Sequence, residues 1–154
     1  MQKIGDRIYS VGVNDDDKVL FEGLWPLPYG VSYNSYVVAD EKVALIDTVE
    51  GGFEEEFLDN INEAIGERLI DYLVVNHMEP DHSSLIADMM ERYPMLSIVA
   101  NAKTVPMLKG YYAVPDDRII VVKDGDTLSL GGATLSFHMF PMVHWPETMV
   151  TWLE

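Results

Sequence analysis

The sequence predicts an α/β domain with β-rich ends, and two observations carry that reading. Through the middle of the chain, short β-branched and apolar runs alternate with two stretches of helical periodicity, giving a βαβαβ order. On either side of that middle, strands follow one another across tight turns, as antiparallel groups do. No repeat, low-complexity segment or linker divides the chain, so 154 residues at 48% hydrophobic composition fit a single core.

At the amino end, residues 7–12 and 18–22 alternate or run apolar around Asn14-Asp15-Asp16-Asp17, which predicts a β-hairpin closed by an acidic turn. The aspartates lack the glycine and distal glutamate of a calcium loop, so the turn is read as solvated. Leu24-Trp25-Pro26-Leu27-Pro28-Tyr29-Gly30 reads as a rigid loop packed over its surroundings, with the rim of a site as the candidate place. Strands are expected at 34–39 and 43–47 around the turn Asp40-Glu41-Lys42. Phe53, Phe57, Leu58, Ile61, Ala64 and Ile65 form the stripe of an amphipathic helix. Glu54, Glu55 and Glu56 fall in its first turn, where negative charge complements the helix dipole. Residues 70–75 read as a buried strand, and Leu85, Ile86, Met89 and Met90 recur at helical spacing after it. A strand at 97–100, a helix at 103–111 and strands at 119–122, 126–130, 133–140 and 148–153 complete the order. The nine methionines are scattered through these apolar segments and read as core filler.

Ten basic against 26 acidic residues give a net charge of -16, which argues against nucleic acid or an anionic membrane surface as the partner. Cysteine is absent, which excludes disulfides, iron-sulfur clusters and thiolate zinc sites. Any metal must therefore be held by nitrogen and oxygen. No stretch approaches the roughly 18 apolar residues of a membrane span, and the start lacks a signal-peptide core, so a cytoplasmic location is expected.

Behind the strand at 70–75 lies Asn76-His77-Met78-Glu79-Pro80-Asp81-His82-Ser83-Ser84. Taken singly, Asp81 reads as a helix cap ahead of a ligand, and a lone His77 or His82 reads as a satisfied buried imidazole. The cluster reads differently. Two imidazoles and two carboxylates at i, i+2, i+4 and i+5 repel and desolvate one another unless a cation sits among them. At the carboxyl end of a parallel strand this loop would face the usual crevice of an α/β fold, and Pro80 favours the curl that lets the four side chains converge. A second stretch, Pro141-Met142-Val143-His144-Trp145-Pro146, holds a histidine between two prolines; on its residues alone His144 is either a ligand or a surface histidine. His138 shares a strand face with Thr134 and Ser136 and reads as structural.

The combination of His77-x-Glu79-x-Asp81-His82 with His144-Trp145-Pro146, Gly30-Val31-Ser32-Tyr33-Asn34-Ser35-Tyr36 and Ile46-Asp47-Thr48-Val49 resembles the amino-terminal part of flavodiiron proteins, the oxygen and nitric oxide reductases of anaerobes. The resemblance implies a metallo-β-lactamase-like αββα sandwich and a non-haem di-iron centre. It implies that His77, Glu79 and His144 bind one iron, and Asp81 and His82 the other. Hydrolases of that fold carry a histidine where this chain has Glu79; a carboxylate there makes the site harder and more anionic, which suits iron over zinc. The family pattern also calls for a bridging aspartate and a further histidine after the His144 loop, then a flavodoxin-like domain carrying FMN. Residues 1–154 stop before these, so the expectation is roughly the first half of the sandwich, with the strand at 148–153 lacking a sheet to pair with. The implied function is reduction of O2 to water or of NO to N2O. This chain would be the metal-binding part, FMN would sit on a missing or partner domain, and a flavodoxin-like or rubredoxin-like donor would supply electrons. The complete form is expected to be a homo-oligomer, and the chain alone inactive. The alternatives are a stand-alone di-iron sensor of oxygen or iron without flavin, and a zinc-dependent hydrolase, which Glu79 disfavours.

Overall fold

Val43-Ala44-Leu45-Ile46 is apolar at every position, the pattern of a strand covered on both faces, and all four residues are buried. In the computed structural model, which describes residues 1–154, this strand is the centre of a seven-stranded mixed sheet. The first half of the chain contains β1 (Gln2–Lys3), β2 (Ile8–Ser10), β3 (Val13–Asp15), β4 (Leu20–Phe21), β5 (Trp25–Pro26), β6 (Val31–Tyr33), β7 (Tyr36–Ala39), β8 (Val43–Ile46) and helix α1 (Glu54–Ile65). The second half contains β9 (Tyr72–Val74), α2 (Pro80–Ser83), α3 (Ile86–Arg92), β10 (Ser97–Asn101), α4 (Thr104–Tyr112), β11 (Ile119–Val122), β12 (Thr127–Ser129), β13 (Thr134–Met139) and β14 (Met149–Leu153).

The large sheet has the order β1-β2-β7-β8-β9-β10-β11. β1, β2, β7 and β8 are antiparallel neighbours, whereas β8, β9, β10 and β11 run parallel. Each parallel step needs a crossover, supplied in turn by α1, by α2 with α3, and by α4. Because the steps proceed in one direction across the sheet and such crossovers share one hand, the helices stack on one face. The period of two along β8 then divides the core. Val43 and Leu45 pack with Phe57 and Ile61 of α1 and with Ile86 and Met89 of α3. Ala44 and Ile46 pack with Leu135, Phe137 and Met149 from the three-stranded sheet β12-β13-β14. Three layers result, in the order helices, large sheet, small sheet.

Three local expectations are corrected by this architecture. No hairpin joins residues 7–12 to 18–22: β2 pairs with β7, β3 pairs with β6, and β4 pairs with β5. The acidic turn itself forms, with Asp15 Oδ1 accepting from the Asp17 and Lys18 amides at 3.2 and 2.9 Å, but it ends a strand that finds its partner elsewhere. Long-range pairing onto a sheet that buries Val11 and Val13 outweighs the local turn. Residues 24–30 do not pack over a rim; Tyr29 is 93% exposed and Leu24 72%. The strand β14 is not without a partner, since it pairs with β13 from Met149 to Leu153, although Trp152 on its outer face stays 63% exposed.

The buried Phe57 ring fastens α1 to the sheet, so Phe57→Ala is expected to destabilise the fold by about 3–5 kcal/mol in denaturant unfolding. Asp71 ties the entry to β9 onto β8: Oδ2 accepts from the Val43 amide at 2.9 Å and Oδ1 from Lys42 Nζ at 2.9 Å. Partial burial works against its charge, yet these two donors hold the carboxyl below the usual aspartate range. A depressed carboxyl contributes stability above its unfolded pKa and loses it as pH falls through the folded one. Asp71→Asn should therefore be less stable than the parent at neutral pH, with the gap closing below about pH 4, read as midpoints of urea unfolding against pH.

Candidate metal centre

The loop after β9 is shaped by residues that follow β8. Asp47 leaves β8 with a left-handed backbone (φ 56°), and its Oδ1 accepts from the Asn76 amide at 2.7 Å and the His77 amide at 3.4 Å. Burial pushes its carboxyl up to about 7. One residue on, the Thr48 amide and hydroxyl both donate to the His82 carbonyl, at 2.8 and 3.0 Å. The loop is thus clamped at both ends. Between the clamps, Glu79 is the N-cap residue and Pro80 occupies the first position of the helical turn α2, where its missing amide costs nothing. The turn is the expected curl, but Asp81 is not its cap: it sits within α2, and no side-chain cap bond forms.

The His144 loop, between β13 and β14, approaches from the other side. Met142 and His144 both have positive φ, 66° and 88°, which costs a non-glycine residue about 1–3 kcal/mol each. Donation from the Met142 amide to the Trp145 carbonyl at 3.0 Å and from the Trp145 amide to Thr148 Oγ1 at 3.1 Å holds that conformation. The Met149 amide donates to the Asn76 carbonyl at 3.0 Å, which fastens this loop to the first one.

At the junction, Glu79 Oε2 lies 3.0 Å from His77 Nε2 and 2.7 Å from His144 Nε2. One donor atom from each of these residues lies within 4.8 Å of the other two. His77 and Glu79 are buried, whereas the His144 side chain is 58% exposed, so the cluster opens to solvent on that side. The Trp145 ring meets His77 edge-on with centroids 5.1 Å apart. Burial opposes the charge of Glu79, but the two imidazoles hold its carboxyl below the usual range. Asp81 and His82 stand beside this trio as a second pair, Oδ2 to Nε2 3.5 Å. Burial pushes the Asp81 carboxyl up, and Asp81 Oδ1 and His82 Nδ1 are buried without any hydrogen-bond partner. Such orphaned atoms are costly in a finished site, and here they are two metal-ligating atoms side by side in sequence. The donor set, all imidazole nitrogen and carboxylate oxygen, fits one ion at His77, Glu79 and His144 and a less completely held one at Asp81 and His82.

All five residues read as ligands from the sequence therefore lie at one place, with three of them converging. His138 stays apart on β13, exposed, with its ring 3.4 Å from Ser136 Oγ. Sequence reasoning missed Glu147, which is buried against His77. Its one signal in the sequence was a position three residues after His144.

A family profile described as "ODP family beta lactamase" matches residues 31–154. The chain belongs to that family of β-lactamase-like domains. Among curated proteins it is 40% identical over 153 residues to flavo-diiron protein FprA2 of Clostridium acetobutylicum, covering 99% of this chain and 38% of that one. It is 38% identical to the anaerobic nitric oxide reductase flavorubredoxin homolog of Escherichia coli O157:H7, covering 97% of this chain and 37% of that one. Among solved structures, rubredoxin oxygen:oxidoreductase from Desulfovibrio gigas superposes with a TM-score of 0.92 at 36% identity, over 98% of this chain and 38% of the other. The resemblance to flavodiiron proteins is borne out, and with it the metallo-β-lactamase-like fold. The chain spans less than two fifths of the length of these relatives. A B3 metallo-β-lactamase described as having an active-site glutamic acid shares the fold at a TM-score of 0.67 and 19% identity. No helix is long and apolar enough to cross a membrane.

Glu79 supplies the only carboxylate oxygen among the three converging atoms. Glu79→Ala is expected to lower the ferrous iron retained after anaerobic loading and desalting by more than half, because an anionic ligand is lost and two imidazoles remain. Iron stoichiometry equal to the parent's would remove Glu79 from the ligand set.

Proposed function

We propose that this chain is the metal-binding, β-lactamase-like part of a flavodiiron-type oxidoreductase that reduces O2 to water or NO to N2O. The observation that carries the reading is the convergence of His77 Nε2, Glu79 Oε2 and His144 Nε2, with the unpartnered atoms of Asp81 and His82 beside them. In this reading His77, Glu79 and His144 hold one iron, and Asp81 and His82 contribute to the second. A pair of irons held there would supply the redox chemistry: reduction of O2 to two waters takes four electrons and four protons, and reduction of two NO to N2O and water takes two of each.

The protein's own residues set the conditions for that chemistry. Glu79 contributes a fixed negative charge that favours the more oxidised, more positive state of an ion next to it. The exposed side of His144 leaves a way in for a small gas, while the Trp145 ring and the buried walls around His77 limit water on the inner side. Electrons would come from FMN on a flavodoxin-like domain or partner, resupplied by a rubredoxin-like donor, and the whole assembly is proposed to be a homo-oligomer.

The test is anaerobic loading of the chain with ferrous iron, followed by O2 or NO consumption with and without a reduced FMN-carrying flavodoxin-like partner. Asp81 and His82 offer two ligands only, too few to hold ferrous iron against water. The expected outcome is one firmly held iron and no turnover for the chain alone, with gas consumption only when the flavin partner and the rest of the ligand set are supplied. Iron uptake and reversible oxygen binding without turnover in the completed protein would favour the sensor reading. Preferential retention of zinc with hydrolytic activity would replace both.

A further inference from the structure

We propose that Glu147 is the positioning residue of this centre: its carboxylate keeps His77 protonated at Nδ1 and thereby leaves Nε2 with its lone pair aimed at the space shared with Glu79 and His144. The identity of the ion in that space rests on the functional reading above; the tautomer of His77 does not.

Glu147 is 2% exposed, and its Oε1 lies 2.9 Å from His77 Nδ1. The Met78 amide donates to the same oxygen at 3.1 Å. An ionised carboxylate only accepts, so the proton in the contact with His77 must reside on Nδ1. A neutral imidazole carries one N–H, so Nε2 is then a bare acceptor facing Glu79 Oε2, also an acceptor, at 3.0 Å. That opposition of lone pairs is unfavourable without a cation and favourable with one. The same logic governs many histidine ligands, whose remote N–H is fixed by a carboxylate that also raises the basicity of the coordinating nitrogen.

Glu147 is itself held in place from behind. Its carbonyl accepts from Asn101 Nδ2 at 2.6 Å, and Asn101 Oδ1 accepts from the Lys103 and Thr104 amides at the start of α4, at 2.9 and 3.2 Å. Lys103 Nζ donates to the neighbouring Pro146 carbonyl at 3.1 Å. One loop therefore delivers both a donor atom, from His144, and the group that orients the facing donor, His77. Seating that loop assembles the trio from two sides at once.

The experiment reads the 15N and 1H signals of the imidazoles in the metal-free chain, with the pH raised until the imidazoles are neutral and the four histidines assigned by single His→Gln variants. The parent should show His77 as a single Nδ1–H tautomer. In Glu147→Ala, His77 should become a tautomer mixture, and affinity for ferrous iron, measured against a competing chelator, should fall about 10–100-fold. Glu147→Gln preserves the shape and an oxygen acceptor; there the Nδ1 proton signal should remain but move upfield as the acceptor loses its charge, with an intermediate loss of iron affinity. An unchanged His77 tautomer in folded Glu147→Ala, or an unmoved Nδ1 proton in Glu147→Gln, overturns the proposal and reduces Glu147 to a staple for the Met78 amide. A parent chain that takes up no iron, yet shows both tautomer effects, bears out the role of Glu147 and overturns the functional reading instead.

Discussion

Everything at this site turns on one carboxylate oxygen set against two imidazole nitrogens. Glu79 Oε2 lies within hydrogen-bonding distance of both His77 Nε2 and His144 Nε2, and all three atoms are lone-pair donors unless protons are recruited to separate them. Bringing such groups together in a half-buried place is opposed by desolvation and by mutual repulsion. The arrangement makes physical sense as a cage for a cation, and the rest of the local structure is the means of holding that cage shut against its own repulsion.

Two loops meet there, and each is restrained independently of the ligands. The first is gripped by Asp47 at its beginning and Thr48 at its end, consecutive residues at the carboxyl end of β8. The second carries positive φ at Met142 and His144, strain that its internal hydrogen bonds and its tie to Asn76 hold in place. Both loops emerge from the same end of the layered sheets, where parallel β8 and β9 stop side by side. An α/β fold offers its ligand crevice there because strand ends release the backbone to turn while the sheet beneath stays rigid.

The two halves of the cluster are unequally complete. His77, Glu79 and His144 converge on one point, whereas Asp81 and His82 retain unpartnered buried atoms. That inequality follows from the donors present: three atoms meet, while the other two residues stand as a pair at their side. Identity at the 40% level over less than two fifths of a relative does not by itself place the full activity in this chain.

Elements whose signals are local were legible in the residues alone. The apolar run of β8, the stripe from Phe53 to Ile65, and the four metal-capable side chains packed into six residues are all short-range patterns; the strand and the helix form where they were expected, while of the four side chains only His77 and Glu79 join the converging group. The rest depended on contacts between distant segments. That His144 comes within reach of Glu79 depended on a loop 65 residues away folding back onto it. Glu147 had no signature of its own, because an acidic residue after a proline looks the same whether it meets water or an imidazole. The amino-terminal hairpin failed for the same reason in reverse: the turn at Asp15 was legible, but strand partners are chosen by burial on a sheet assembled from distant segments. Local chemistry fixes which groups can bind a cation; the sheet and its crossovers, through contacts separated by tens of residues, fix which of them meet.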